Sequence, residues 1–279
     1  MQVVYGVEAL EPAFGPAFVV VGVFDGLHLG HLYLLRHLVS ESALRGARPT
    51  VITFDHHPDE VLTGEAPPVL LDPAERLERL SAAGVAVTVV QPFDAALRMT
   101  PYEAFVERIR ARLELRGFLM TPDAAFGYER QGTPGTLSIL GQRDGFDVVV
   151  VDPFTLHGRP VRSSEIRAEM AAGHLAEAAA LLGRPVTLTG ALERSGPAGR
   201  RLVFDLPIAL PPDGDYPCRA EGRQGVLRVE GGAAYLRSRG PAATRMSIEL
   251  IGPDATAAPR PRARGSRSEP SRTGRQRGD

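Results

Sequence analysis

Two histidines three residues apart, His28 and His31, close the stretch VVVGVFDGLHLGH that runs from Val19 to His31. At that spacing the two rings share one face of a first helical turn, and each imidazole can donate an N–H to a phosphate oxygen. Gly26 and Gly30 remove Cβ atoms where another backbone or a ligand could come close. The helix that follows offers unpaired amides with a partial positive charge, so an anion is the natural occupant. Two other readings stand beside this one: the histidines cap a helix, or they ligate a metal. No carboxylate or cysteine at obvious ligand spacing supports the metal.

Three further segments carry chemistry-bearing residues. Phe54, Asp55 and His57 lie in VITFDHHPDEVL, which by itself reads as a strand end and a turn. Asp123, Phe126, Gly127 and Arg130 lie in the glycine-containing DAAFGYERQG, where turn chemistry is the competing account. Ser163, Ser164 and Arg167 lie in RSSEIR, and serine is a good helix cap.

Composition narrows the chemistry. All 32 basic residues are arginine, so lysine nucleophiles, Schiff bases and the phosphate lysine of a Walker loop are out of reach. Phosphate handling is left to His, Arg, backbone amides and metal. Cys218 is the single cysteine, which excludes an intramolecular disulfide and a cysteine-rich zinc site and suits a reducing compartment. Net charge is −1, divided into +4 on Pro253–Asp279 and −5 on the rest, so specific nucleic-acid binding is not expected of the body. The amino-terminal apolar stretch has no basic residues before it and meets Asp25 far short of the roughly 20 residues that span a bilayer. A cytoplasmic protein without membrane contact is the expectation.

The elements that must position these residues follow from periodicity. Strands are predicted at Phe18–Val23, Thr50–Phe54, Val85–Gln91, Phe118–Thr121 and Phe146–Val151. Helices are predicted at Leu29–Leu44, Pro73–Ala83, Tyr102–Leu115 and His174–Leu182. This alternation implies an α/β domain with a parallel sheet, which binds ligands at the carboxyl ends of its strands beside a switch point. After Gly183 the pattern becomes short β pieces at Val186–Leu192, Arg201–Leu206, Gly225–Val229, Ala233–Leu236 and Ser247–Ile251. These predict a small antiparallel barrel or sheet. The expected division is a sheet domain at 1–184, a β domain at 185–252 and a disordered Arg-rich tail at 253–279.

GVFDGLHLGH resembles the Gly-x-Phe-Asp-Gly-x-His-x-Gly-His signature of nucleotidyltransferases. The other segments are similar, in order and spacing from about Val3 to Gly190, to the prokaryotic bifunctional riboflavin kinase/FMN adenylyltransferase family: TFDHHP to its Thr-Phe-Asp-Pro-His-Pro, DAAFGYERQG to its Asp-Phe-x-Phe-Gly-x-x-Arg-x-Gly, RSSEIR to its Ser-Ser-Thr-x-Ile-Arg, and LGRP to the entrance of its kinase barrel. The resemblance implies a Rossmann-like nucleotidyltransferase domain that makes FAD by transferring AMP from ATP to FMN with release of pyrophosphate. It implies Mg²⁺ accompanying ATP, with few protein ligands. It places ATP against Gly22, Phe24, Asp25, Gly26, His28, Gly30, His31, Ser163, Ser164 and Arg167. His28, His31, Ser163, Ser164 and Arg167 are the implied catalytic groups, and FMN would meet Phe54, Asp55, His57, Asp123, Phe126, Gly127 and Arg130.

The chain also departs from that pattern. Val23, His56 and Ala124 stand where the family often has Asn, Pro and Phe. Aligning Ile166 and Arg167 with the family's Ile-Arg sets Arg162 on the first Ser and Ser164 on the Thr. In the second half the family's Gly-Arg-x-x-Gly-Phe-Pro-Thr-Ala-Asn, whose Thr and Asn hold Mg-nucleotide, is replaced by GRRLVFDLPI. A truncated, degenerate kinase domain that packs against the first domain without phosphorylating riboflavin is therefore expected. The rivals are another small-molecule nucleotidyltransferase and a non-catalytic flavin or nucleotide sensor.

Overall fold

The computed structural model describes residues 1–193, 199–237 and 244–251, so the Arg-rich segment expected to be disordered lies outside the described residues. The first half is a six-stranded, wholly parallel sheet made of β1 (Gln2–Tyr5), β2 (Ala17–Val21), β3 (Arg48–Phe54), β4 (Val87–Gln91), β5 (Leu115–Met120) and β6 (Asp147–Val150). The valine-rich β2 and β4 are buried almost end to end, as strands with both faces covered must be. Strand order is β1-β4-β3-β2-β5-β6. The chain winds one way from β2 through β3 to β4 and the other way through β5 to β6, so the crevice between β2 and β5 is the switch point.

The connecting helices are α1 (Leu29–Leu44), α2 (Pro58–Thr63), α3 (Pro73–Ala82), α4 (Ala95–Arg98), α5 (Tyr102–Arg110) and α6 (Pro134–Asp144). A two-stranded hairpin of β7 (Thr155–Leu156) and β8 (Arg159–Pro160) leads into α7 (Ser163–Ala171) and α8 (Leu175–Leu182). The second half is a closed antiparallel barrel of β9 (Thr187–Glu193), β10 (Arg200–Val203), β11 (Gly214–Ala220), β12 (Arg223–Glu230), β13 (Ala233–Arg237) and β14 (Arg245–Leu250), in the order β10-β13-β12-β11-β14-β9. Alternate residues fill it, among them Leu188, Leu202, Leu227, Leu236 and Ile248. One apolar cluster runs from this interior through Ile166, Met170, Leu175 and Leu182 of α7 and α8 to Leu70, so the two halves share a core.

The expected elements are present, and the structure adds the short α2, α4, β7 and β8 to them; the other differences follow. The helix expected at Tyr102–Leu115 stops at Arg110, because the leucines that extend its apolar spacing, Leu113 and Leu115, are buried by the turn and by β5. Helix α6 was not expected, although Thr133 and Thr136 form a capping box at its start and Pro134 occupies its first turn. Strands β1 and β11 were also not expected: β1 is a four-residue edge strand, and β11 carries Pro217 in a stretch that reads as a turn.

Candidate active site

The turn after β2 is tightly wound. Phe24 and Leu27, both buried, hold φ of 53° and 39°, in the left-handed region that side chains other than glycine rarely adopt. Such strain persists only where the surroundings fix it, and it concentrates at functional sites. Gly26 has φ of 79°, and a Cβ there would come within 3.0 Å of Leu70. At Gly30 a Cβ would lie 3.0 Å from the Val161 carbonyl oxygen. Both glycines thus admit protein neighbours, which lets the loop sink against its supports.

His28 caps α1: its Nδ1 accepts the His31 backbone N–H at 3.3 Å. That bond fixes the neutral tautomer, leaving Nε2–H as the donor. The two imidazoles stack with centroids 3.7 Å apart and planes 17° from parallel. Burial, followed by the charges of Arg184 and Arg167, pushes His28 down to about 4. Burial, followed by His28, holds His31 well below the usual histidine range. Both rings are therefore uncharged at neutral pH, and the positive potential comes from backbone and arginine. Helix geometry leaves the Leu29 and Gly30 amides without intrahelical partners.

A second helix start faces the same space. His28, Gly30, His31, Arg162 and Ser163 line a cavity of about 320 Å³, so the first turns of α1 and α7 converge on it. Val21, Gly22, Leu34 and Thr121 also line an adjoining cavity of about 600 Å³, which includes Phe54, Phe126 and Arg130. The two cavities meet at the carboxyl ends of β2 and β5, and the larger one has the size and aromatic lining of a site for a flat organic ligand.

The structure divides the sequence-predicted residues into three groups. Gly22, Phe24, His28, Gly30, His31 and Ser163 surround the smaller cavity, with Asp123 on its rim. Phe54, Phe126, Gly127 and Arg130 line the larger one. Asp55, His57, Asp25, Gly26, Ser164 and Arg167 line neither. The Asp55 carboxylate accepts the His56 and Phe93 amides at 2.8 and 3.0 Å, and His57 caps α2 by accepting the Asp59 amide at 3.2 Å. Of the residues that depart from the family pattern, Val23 and Ala124 line the larger cavity. Arg162 reaches across the smaller one to Asp123 at 3.3 Å.

Asp25 and Arg167 hold the site together from beneath. Arg167 Nη2 donates to Asp25 Oδ2 at 2.6 Å, and its Nε donates to the Pro68 carbonyl at 2.8 Å. The Leu70 amide donates to both Asp25 carboxylate oxygens at 2.9 and 3.1 Å, while Ser163 Oγ donates to the Asp25 carbonyl at 3.0 Å. Burial pushes the Asp25 carboxyl upward, against Arg167, the Leu70 amide and Arg76. Two arginines escaped the sequence reading. Arg76 is buried and donates to the Val23 and Phe54 carbonyls at 3.1 and 2.8 Å, joining the ends of β2 and β3. Arg184 has Nε and Nη1 buried without hydrogen-bond partners, and burial brings its pKa down to about 10. Arg184 belongs to the LGRP stretch, read from sequence only as the entrance to the barrel, and the one local signal for Arg76 is Asp72-Pro73, a cap and first-turn proline of its helix.

A parallel sheet with two helix starts converging beside its switch point defines a nucleotide-binding α/β protein. Comparison with known proteins narrows this. A family model described as FAD synthetase matches residues 11–165, more than half of the chain, and the chain belongs to that family. It is 29% identical over 206 residues to the bifunctional riboflavin kinase/FMN adenylyltransferase of Haemophilus influenzae, a match covering 73% of this chain and 67% of that protein. It is 30% identical over 203 residues to the protein of the same name from Pseudomonas fluorescens, covering 72% and 65%. The chain thus spans about two thirds of the length of these relatives. A crystal structure of a macrolide-efflux protein from Streptococcus pneumoniae has the same fold, with a TM-score of 0.75 over 90% of both chains at 19% identity.

Proposed function

We propose that this chain is an FMN adenylyltransferase: the phosphate of FMN attacks the α-phosphorus of ATP, and FAD and pyrophosphate leave. The observation that carries this reading is the pair of joined cavities, one aromatic and about 600 Å³, the other cradled by two helix starts and about 320 Å³. Flavin in the first and triphosphate in the second would bring the FMN phosphate to the junction beside Gly22. The nucleophile is already an anion at neutral pH, so no general base is needed. Catalysis is alignment and the stabilisation of charge on the phosphoryl oxygens.

Neutral His28 and His31, with the Leu29 and Gly30 amides, donate to the α- and β-phosphates. Neutral donors suit a site that must release a polyanionic product. Ser163 at the start of α7 faces the departing pyrophosphate, and Arg167 supports it through Asp25, whose carbonyl accepts from the Ser163 hydroxyl. Among the described residues no three His, Cys, Asp or Glu side chains gather as metal ligands, and Asp25 is already paired. The donor set therefore fits Mg²⁺ that arrives on ATP, where it would neutralise phosphate oxygens. Among the described residues no helix is long and apolar enough to cross a membrane.

The barrel, by this reading, has lost riboflavin kinase activity. Its nucleotide-holding box is replaced by GRRLVFDLPI, and its interior is occupied by leucines and isoleucine. Incubating the purified protein with FMN and Mg²⁺-ATP and resolving flavins by chromatography tests the assignment. FAD accumulating in proportion to protein supports it, and its absence with intact, folded protein refutes it.

A further inference from the structure

The segment from Pro68 to Arg76 runs between the barrel and the phosphate-facing loop and is pinned on both sides. On the barrel side, the Val69 amide donates to the Pro207 carbonyl at 2.8 Å, and the Ala209 amide donates to Val69 at 2.8 Å. Arg245 of β14 pairs with the buried carboxylate of Asp72 and lies 3.1 Å from Asp205. Thr189 of β9 donates to Glu75 at 2.8 Å. On the loop side, the same segment supplies the Pro68 carbonyl to Arg167, the Leu70 amide to Asp25 and the Arg76 guanidinium to Val23 and Phe54. Asp72 belongs to both sides: one carboxylate oxygen caps α3 by accepting from Ala74 and Glu75, and the other meets Arg245.

We infer that the barrel is a brace for the nucleotidyl-transfer site, and that Arg245 is a positioning residue acting through Asp72 and the 68–76 segment. The inference rests on the adenylyltransferase reading for the reaction it supports. Three groups that hold the loop carrying left-handed Phe24 and Leu27, the Pro68 carbonyl through Arg167, the Leu70 amide and the Arg76 guanidinium, come from a segment whose other edge is barrel. Without the brace the loop is free to relax from that strained conformation. A displacement of His28 and His31 by about 1 Å is enough to lower the rate by on the order of 10²-fold. The same logic explains why a closed barrel accompanies this site when its own nucleotide box is absent.

The experiment compares Arg245→Ala and Arg245→Lys with the wild type in the full chain, following FAD synthesis and the hydrogen exchange of the Leu70 amide. Expected for Arg245→Ala are a kcat at least tenfold lower, a KM for FMN within twofold, and at least tenfold faster exchange at Leu70. The lysine variant, which restores the charge beside Asp72, recovers most of both. A folded alanine variant with wild-type kcat and wild-type Leu70 exchange overturns the inference, as does equal loss in the lysine variant. If the alanine variant does not fold, Thr189→Val, which removes only the hydroxyl from Glu75, carries the same comparison. If the wild type makes no FAD, the adenylyltransferase reading falls, while the exchange at Leu70 still decides whether the barrel holds the segment.

Discussion

The parallel sheet and the antiparallel barrel solve the same problem of burying apolar strands, and they differ in what they leave open. The sheet has two edges, and its strands end in a row where the chain diverges at β2 and β5, so a crevice forms of necessity. Polar groups collect there: buried His28, Asp25 and Arg76, and the amides of two helix starts. The barrel closes on itself, pairs every strand on both sides and packs its axis with Leu188, Leu227, Leu236 and Ile248. Closure removes edges and, in a ring this small, removes the room for a ligand. One architecture makes a site by default; the other makes one only when loops at its mouth supply it.

The largest expected effect sets the two halves directly against each other. FMN with Mg²⁺-ATP yields FAD, while riboflavin with Mg²⁺-ATP yields neither FMN nor FAD over hours, because phosphoryl transfer depends almost wholly on positioned metal and charge. FMN forming from riboflavin in proportion to this protein would break the contrast. Next, His31→Ala is expected to reduce adenylyl transfer by on the order of 10²-fold with the fold retained, the scale of losing one preorganised donor. A variant within a few fold of wild type at saturating FMN and ATP would remove His31 from the site.

A smaller effect probes the packed half. Leu227→Ala empties a fully buried position in the barrel and is expected to lower stability by about 2–5 kcal/mol, read from denaturant midpoints. A loss below 1 kcal/mol would mean that the barrel is loosely packed. The smallest effect is a pH dependence. His28 titrates at about 4 in the folded protein and near 6.5 when unfolded, so acid favours the unfolded chain, which takes up the proton that the folded one refuses. Its contribution is complete above about pH 6.5 and is lost as pH falls toward 4. His28→Asn keeps a capping acceptor and removes the titration. The stability lost between pH 7 and 5 should therefore be smaller in that variant than in wild type, and an equal loss would show His28 to be solvated.

Legibility followed the range of the interactions. Helix α1 matches its sequence reading residue for residue, because its cap, its glycine and its apolar run are all local. His28 and His31 were readable for the same reason. Asp55 and His57 share the strand end with Phe54, yet only Phe54 faces the larger cavity; the turn after β3 directs the other two toward backbone amides, which spacing alone does not reveal. Arg167 is expected at the departing phosphate from the resemblance, and its contacts to Asp25 and Pro68, which span 142 and 99 residues, cannot be read from spacing. The support from Leu70, Asp72 and Arg76 was illegible on the same ground: the Leu70 and Arg76 bonds span 45, 53 and 22 residues within the sheet domain, and Asp72 meets Arg245 across 173.

Strand β14 closes the barrel between β9 and β11, and it is the last strand of the described chain. A polypeptide leaves the ribosome amino terminus first, and its domains fold as units in that order. The sheet can thus assemble, with His28 and His31 at its crevice, while the partner of Asp72 is still to be synthesised. The nascent chain would then pass through an interval in which the site exists in outline but is not held, and its competence would switch on late, when Arg245 arrives. Translation itself would serve as the timer of this enzyme.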